Sequence, residues 1–284
     1  MFFAYNASAL GAGGIIERGP VTYTIPSLAS VALAPTGGEG RSVVANYVSQ
    51  ELSFSHAETR VYGRQTGRGV DAQFTTSTYV FMKDVNIFGR ITVAEMGSTV
   101  TSTRGFEGGD DHPFHIDIFY RDVRIDGKRV HPRLDAHLAS LSRYDDLAKA
   151  LVPSRKGGPD TRGALANRFD ATPDELARLV AERKPVQGSL VGAIEGLDPA
   201  PRSPVIPVPG LGTVRFAELM LKPGRRRLNL IRVNFGLPQR EGAMPIAFSL
   251  RNQDGPPGES LDDAPTGGSM TLGSGEGNGT PIEP

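Results

Sequence analysis

The chain has 284 residues, with 31 Lys or Arg balanced by 31 Asp or Glu. No global field therefore steers it toward nucleic acid, a membrane surface or an acidic polymer. It has no cysteine and no tryptophan, which excludes disulfide staples, thiolate nucleophiles and cysteine-ligated metal centres.

Residues 1–20 begin with MFFAYNASALGAGGII. They lack the basic leader and continuous apolar run of a secretory signal. No segment approaches the ~18 apolar residues needed to span a bilayer. The expectation is cytoplasmic synthesis, with leaderless release or incorporation into a particle, and residues 1–20 acting as an N-terminal arm.

From Val21 to residue 138 the texture is that of the first part of a β-domain. Runs such as VTYTI, SVALA, ELSFSHAE, QFTTSTYVFM and RITVAEM alternate with breaks containing Gly and Pro, as in a pleated, half-buried surface. In QFTTSTYVFM, Phe74, Thr76, Thr78, Val80 and Met82 share one face, and Thr75, Ser77, Tyr79 and Phe81 the other. Neither face is strongly charged, so the strand reads as having neighbours on both sides. His56 follows Leu52 and Phe54 at period two and reads as a packed or rim histidine.

A weak repeat comes next. FMKDVNIFGR from Phe81 and FYRDVRIDGK from Phe119 lie 38 residues apart. In both, apolar residues change parity across the aspartate: Val80 and Met82 give way to Val85 and Ile87, and Ile116 and Ile118 to Val123 and Ile125. Because strand side chains alternate faces, this requires a bulge or a change of sheet at Asp84 and Asp122. A turn is expected at Gly89 and Gly127. The fold class expected is mainly β, an antiparallel sandwich or barrel-like domain carrying a small helical insertion, with a short β-helix as the alternative.

The insertion is placed at residues 139–188. Ser142 stands three residues before Asp145, ahead of Leu147 and Leu151. Thr172, Pro173 and Glu175 form a helix start before Leu176, Leu179 and Val180. Residues 189–251 return to the β-domain as a hairpin. Pro223 and Gly224 occupy the central positions of a type II turn. Val214, Phe216 and Met220 are expected on one face and Leu219 and Leu221 on the other, and GRRR at Gly224–Arg227 as a solvated tip. Residues 252–284 are polar and rich in Gly and Pro. Alone they bury too little to offset ordering entropy, so this acidic tail is expected to act as a contact arm held by another copy or another protein.

One stretch carries the residue types of a chemical site: DDHPFHID, Asp110 to Asp117. His115 and Asp117 share a strand face, and same-face neighbours sit about 6.6–7 Å apart. With His112, and with Asp110 or Asp111 supplying oxygen, they are the candidate ligands for a divalent metal. The competing reading is a Gly-Asp turn at 108–111 leading into an ordinary strand. No nucleophile elbow, dinucleotide loop or Walker sequence occurs, so no catalytic or cofactor-binding residue is assigned. The leading expectation is a structural, self-associating subunit of a filament, shell or appendage, partnered by copies of itself and not by nucleic acid. The alternatives are a metal-dependent enzyme using His112, His115 and Asp117, or a carbohydrate- or surface-binding module presenting Tyr47, Tyr62 and Tyr79.

Overall fold

Period-two alternation of small or apolar residues with polar ones lays down fourteen strands among the described residues. A computed structural model describes residues 2–105, 112–141, 143–151, 161–198, 203–236 and 267–282. The strands are β1 (Phe2–Arg18), β2 (Val21–Ala32), β3 (Gly38–Val48), β4 (Leu52–Thr66), β5 (Gln73–Ile87), β6 (Ile91–Gly105) and β7 (Phe114–Ile125). They continue with β8 (Lys128–Leu134), β9 (Val186–Ser189), β10 (Val191–Glu195), β11 (Val205–Val208), β12 (Gly212–Lys222), β13 (Arg225–Phe235) and β14 (Gly267–Ile282). The helices are α1 (Ala136–Ser140), α2 (Tyr144–Ala150), α3 (Thr161–Arg168) and α4 (Pro173–Ala181).

Two antiparallel sheets form. The first runs β11-β12-β13-β14-β1-β2, with β9 also on β12; the second runs β10-β8-β7-β6-β5-β4-β3. The protein is mainly β, an antiparallel sandwich, and the β-helix alternative is replaced by antiparallel meanders. As the alternation in β5 suggested, that strand is flanked on both edges, by β4 and β6. Leu190 steps between the sheets, since β9 before it pairs with β12 and β10 after it pairs with β8.

The parity change read at the repeated aspartates is present. Asp84 and Asp122 have φ of 52° and 45°, a region that costs L-residues steric energy and that Asp and Asn tolerate best. Met82 and Val85 both point into the core, as do Val123 and Ile125. Asn46 in β3 has φ 54°, and the register sets Asn46, Ser55, Asp84, Ala94 and Asp122 in one line across the second sheet. A matching line of Ala29, Gly11, Gly273, Leu230 and Ala217 crosses the first sheet, with Ala29, Gly273 and Ala217 at positive φ. The repeat ends in paired turns. Phe88-Gly89 and Asp126-Gly127 all have positive φ, as two-residue hairpin loops require. Arg90 of the first turn forks onto Asp126 of the second at 2.7 and 2.8 Å.

These kinks correct several expectations. Ala217 resets the alternation of β12, so Val214, Phe216, Leu219 and Leu221 are all buried and Met220 is the residue turned away. His56 is half-buried beside Phe81, centroids 6.0 Å apart, a packed rim histidine as read, although the alternation of β4 shifts after Ser55 and takes it off the Leu52 and Phe54 face. GRRR is a solvated tip only in part, since Arg225 is exposed and Arg227 half-exposed. Arg225 and Arg227 both pair with Glu276, and Arg226, 1% exposed, lies over the Phe114 ring.

The largest correction concerns the ends. Instead of forming outward arms, β1 and β14 are adjacent strands in the middle of the first sheet. They bring Ala7, Ala9, Gly11, Gly275 and Gly277 inward. Here Cα atoms of β1 and β14 come within 8 Å of β5, closer than the about 10 Å of ordinary stacked sheets. A Cβ at Gly275 would lie 2.7 Å from Thr78 Oγ1. Backbone proximity replaces side-chain bulk, so a segment with few apolar residues is buried. Residues 252–266 lie outside the described residues.

The helical insertion is present at α1–α4. Thr172 caps α4 through its hydroxyl, accepting from Glu175 N at 3.2 Å, with Pro173 in the first turn. In α2 the capping position is Arg143, whose N–H donates to Asp146. Ser142 lies outside the described residues.

Candidate functional site

The outer face of the second sheet is built by register. Reading across from β4 to β7, Tyr62 lies opposite Ser77, Ser77 opposite Thr101, and Thr101 opposite His115. In the next row Arg60 meets Tyr79, Tyr79 meets Thr99, and Thr99 meets Asp117. Small hydroxyl side chains thus lie between Arg60, Tyr62 and Tyr79 on one side and the register positions of His115 and Asp117 on the other. The depression has a volume of about 460 Å³ and is lined by Arg60, Val61, Tyr62, Ser77, Tyr79 and Thr99.

Its polar groups are already organised. Ser77 Oγ and Thr101 Oγ1 are 3.0 Å apart. The Arg60 guanidinium sits 5.6 Å from the Tyr79 ring centroid and that of Arg64 lies 5.9 Å from Tyr62, the cation–π range. Arg60 Nε also donates to Glu58 at 2.7 Å, as Arg41 Nε does at 2.6 Å. Those two guanidiniums hold the Glu58 carboxyl down at a pKa of about 2, against the opposing effect of its desolvation. Burial raises the Tyr79 phenol above its usual value, and the Glu58 charge adds to this.

The structure divides the expected metal ligands. His115 Nε2 and Asp117 Oδ2 meet at 3.0 Å on the exposed face, both mostly solvated. His112 is 4% exposed and stacks on Phe114 with centroids 4.8 Å apart, on the core side of the strand. Asp110 and Asp111 lie outside the described residues. Among the described residues no group of three or more His, Asp or Glu side chains is placed to hold a metal ion. The tyrosines also separate. Tyr62 and Tyr79 line the trough from strands, not loops, while Tyr47 stacks on Phe54, 5.4 Å away. The parity of QFTTSTYVFM had placed Ser77 and Tyr79 on one face. Sequence reasoning missed that Thr99, Thr101 and His115 join them, because long-range register has no local signal.

The chain matches, over residues 3–222, the family described as a domain of unknown function, DUF8256. It belongs to that family. The DUF8256 segment covers β1 to β12 and so includes every residue of the trough; β13 and β14 follow it. No curated protein and no solved structure matches the chain. Among the described residues no helix is long and apolar enough to cross a membrane.

Proposed function

We propose that this DUF8256 chain is a carbohydrate-binding β-module whose ligand lies in the outer trough of the second sheet. The observation that carries this is the pairing of hydroxyls (Ser77, Thr99) with phenols (Tyr62, Tyr79) in one depression, with Thr101 across from Ser77 on the next strand. A sugar offers hydroxyls that donate and accept together, and an apolar C–H face. Hydroxyl side chains match the first, since each both donates and accepts. Flat aromatic side chains with a polar tip match the second. Arg41 and Arg60 share the Glu58 carboxylate and His115 lies against Asp117, so these side chains are held by one another beside the hydroxyl and phenol groups.

Glycan-array binding followed by calorimetry tests the reading. Tyr79→Ala is expected to weaken binding by about tenfold or less, the worth of one aromatic contact. Silence across the array would contradict it.

A second reading, a self-associating structural subunit, is supported by β3. This strand ends the second sheet and presents Val43 and Val48 at 43% and 78% exposure, and a free apolar edge is a template for strand addition. Light scattering at high protein concentration tests it: oligomers are expected, and a strictly monomeric solution would sink it.

A further inference from the structure

We infer that the ligand is an oligosaccharide chain rather than a single sugar, and that Phe81 and Phe119, the first residues of the two repeated units, form its second subsite. This rests on the carbohydrate reading above. Phe81 pairs with Gly97, and Gly97 with Phe119, in a row of their own on the outer face. The two rings have centroids 6.3 Å apart, tilted by 33°. Phe119 is 47% exposed, an unusual position for a large apolar side chain on an otherwise polar sheet face.

Gly97 explains how the ring is held. A Cβ there would lie 2.6 Å from Phe119 Cε1 and 2.9 Å from its Cζ. The missing side chain lets Phe119 lie flat across the β6 backbone, as aromatics do over sheet glycines, and present a ring face outward. The ring covers Gly97 on one side and stays 47% exposed, an apolar surface open to a ligand's C–H face.

The platform is continuous with the trough. From Ser77 to Phe81 is four residues along β5, about 13 Å at strand rise, with Tyr79 midway on the same face. That is longer than one pyranose ring, and it sets hydroxyls at one end and the tilted Phe81–Phe119 pair at the other along the strand direction. Beside this path Arg121 pairs with Glu95 and Arg41 with Glu58.

Calorimetry with neutral cello-, xylo-, manno- and malto-oligosaccharides, from monosaccharide to hexasaccharide, tests this on the full chain. Affinity is expected to rise with length in the series that binds. Phe119→Ala should remove that rise, a loss of about three- to tenfold for the longest member, while leaving the shortest binder unchanged. Gly97→Val, which displaces the same ring without removing it, should reproduce the loss. Thermal melts of both variants check that the sandwich stands. A length-dependent gain that survives Phe119→Ala would overturn the inference and leave the trough reading intact. Absence of binding by every series would overturn both. If Phe119→Ala instead converted a dimer to a monomer in light scattering, the platform would belong to a second copy, and the inference would fail.

Discussion

Tyr120 reaches across the core from β7 to the kink line of the opposite sheet. Its hydroxyl accepts from Ala217 N at 2.9 Å and donates to Leu230 O at 2.6 Å, two backbone groups beside the positive-φ Ala217. Thr59 does the same work on the other flank, donating to Ala29 O at 2.8 Å. Tyr120→Phe leaves both backbone partners without their bond, and denaturant titration should register a loss of about 1–3 kcal/mol. Burial raises the Tyr120 pKa above that of the unfolded chain. Its contribution is therefore whole below pH about 10 and is lost as pH rises further, a trend that Tyr120→Phe should abolish. Glu58 works in the opposite sense. Its carboxyl is held at about 2 by Arg41 and Arg60, so its contribution is whole above the unfolded value near 4.3 and disappears as pH falls toward 2. Glu58→Gln should flatten the acid limb of the stability curve over that window, read by thermal melts at stepped pH.

At the scale of elements, the aspartates of the repeat are the most instructive. The parity switch at Asp84 and Asp122 was legible because buried and exposed residues exchange spacing there, and period-two alternation leaves few other solutions. Asp84 is further fixed by Ser55, whose hydroxyl donates to its carboxylate at 2.6 Å. Asp122→Ala removes the local polar tether at φ 45° and the ion pairs to Arg124 and Arg129 and is expected to cost up to about 1 kcal/mol. Asp122→Gly should recover the backbone part of that loss, because glycine takes the left-handed region freely. If the alanine variant melted like the parent, the kink would not be what holds the residue there. The α4 cap and the Pro223-Gly224 turn were equally readable, since both are local chemistry. Ala217 was not: alanine gives no hint of positive φ, and the faces of β12 were misassigned from that residue onward.

For the whole molecule, β14 joins the two halves of the first sheet, with β13 on one side and β1 on the other. Its burial escaped the sequence because the strand buries backbone and glycine: Gly275 and Gly277 face Thr78 and Thr76, and among its described side chains only Met270 and Leu272 are apolar and fully buried. Truncation before Gly267 would unpair an edge of both β1 and β13. The truncated chain is expected to lose cooperative unfolding and to become protease-sensitive; a sharp, unshifted melt would contradict this placement. The trough was half legible for a related reason. Parity placed Ser77 with Tyr79 and His115 with Asp117, but only the β5–β6–β7 register sets the two pairs side by side. The measurement that bears most directly on the account is a backbone-amide NMR titration with the best-binding neutral oligosaccharide. Shifts confined to β4–β7 around Arg60, Tyr62, Ser77, Tyr79, Thr99 and Phe119 are the predicted result. Shifts clustered on the first sheet or on α1–α4, with that face silent, would contradict it.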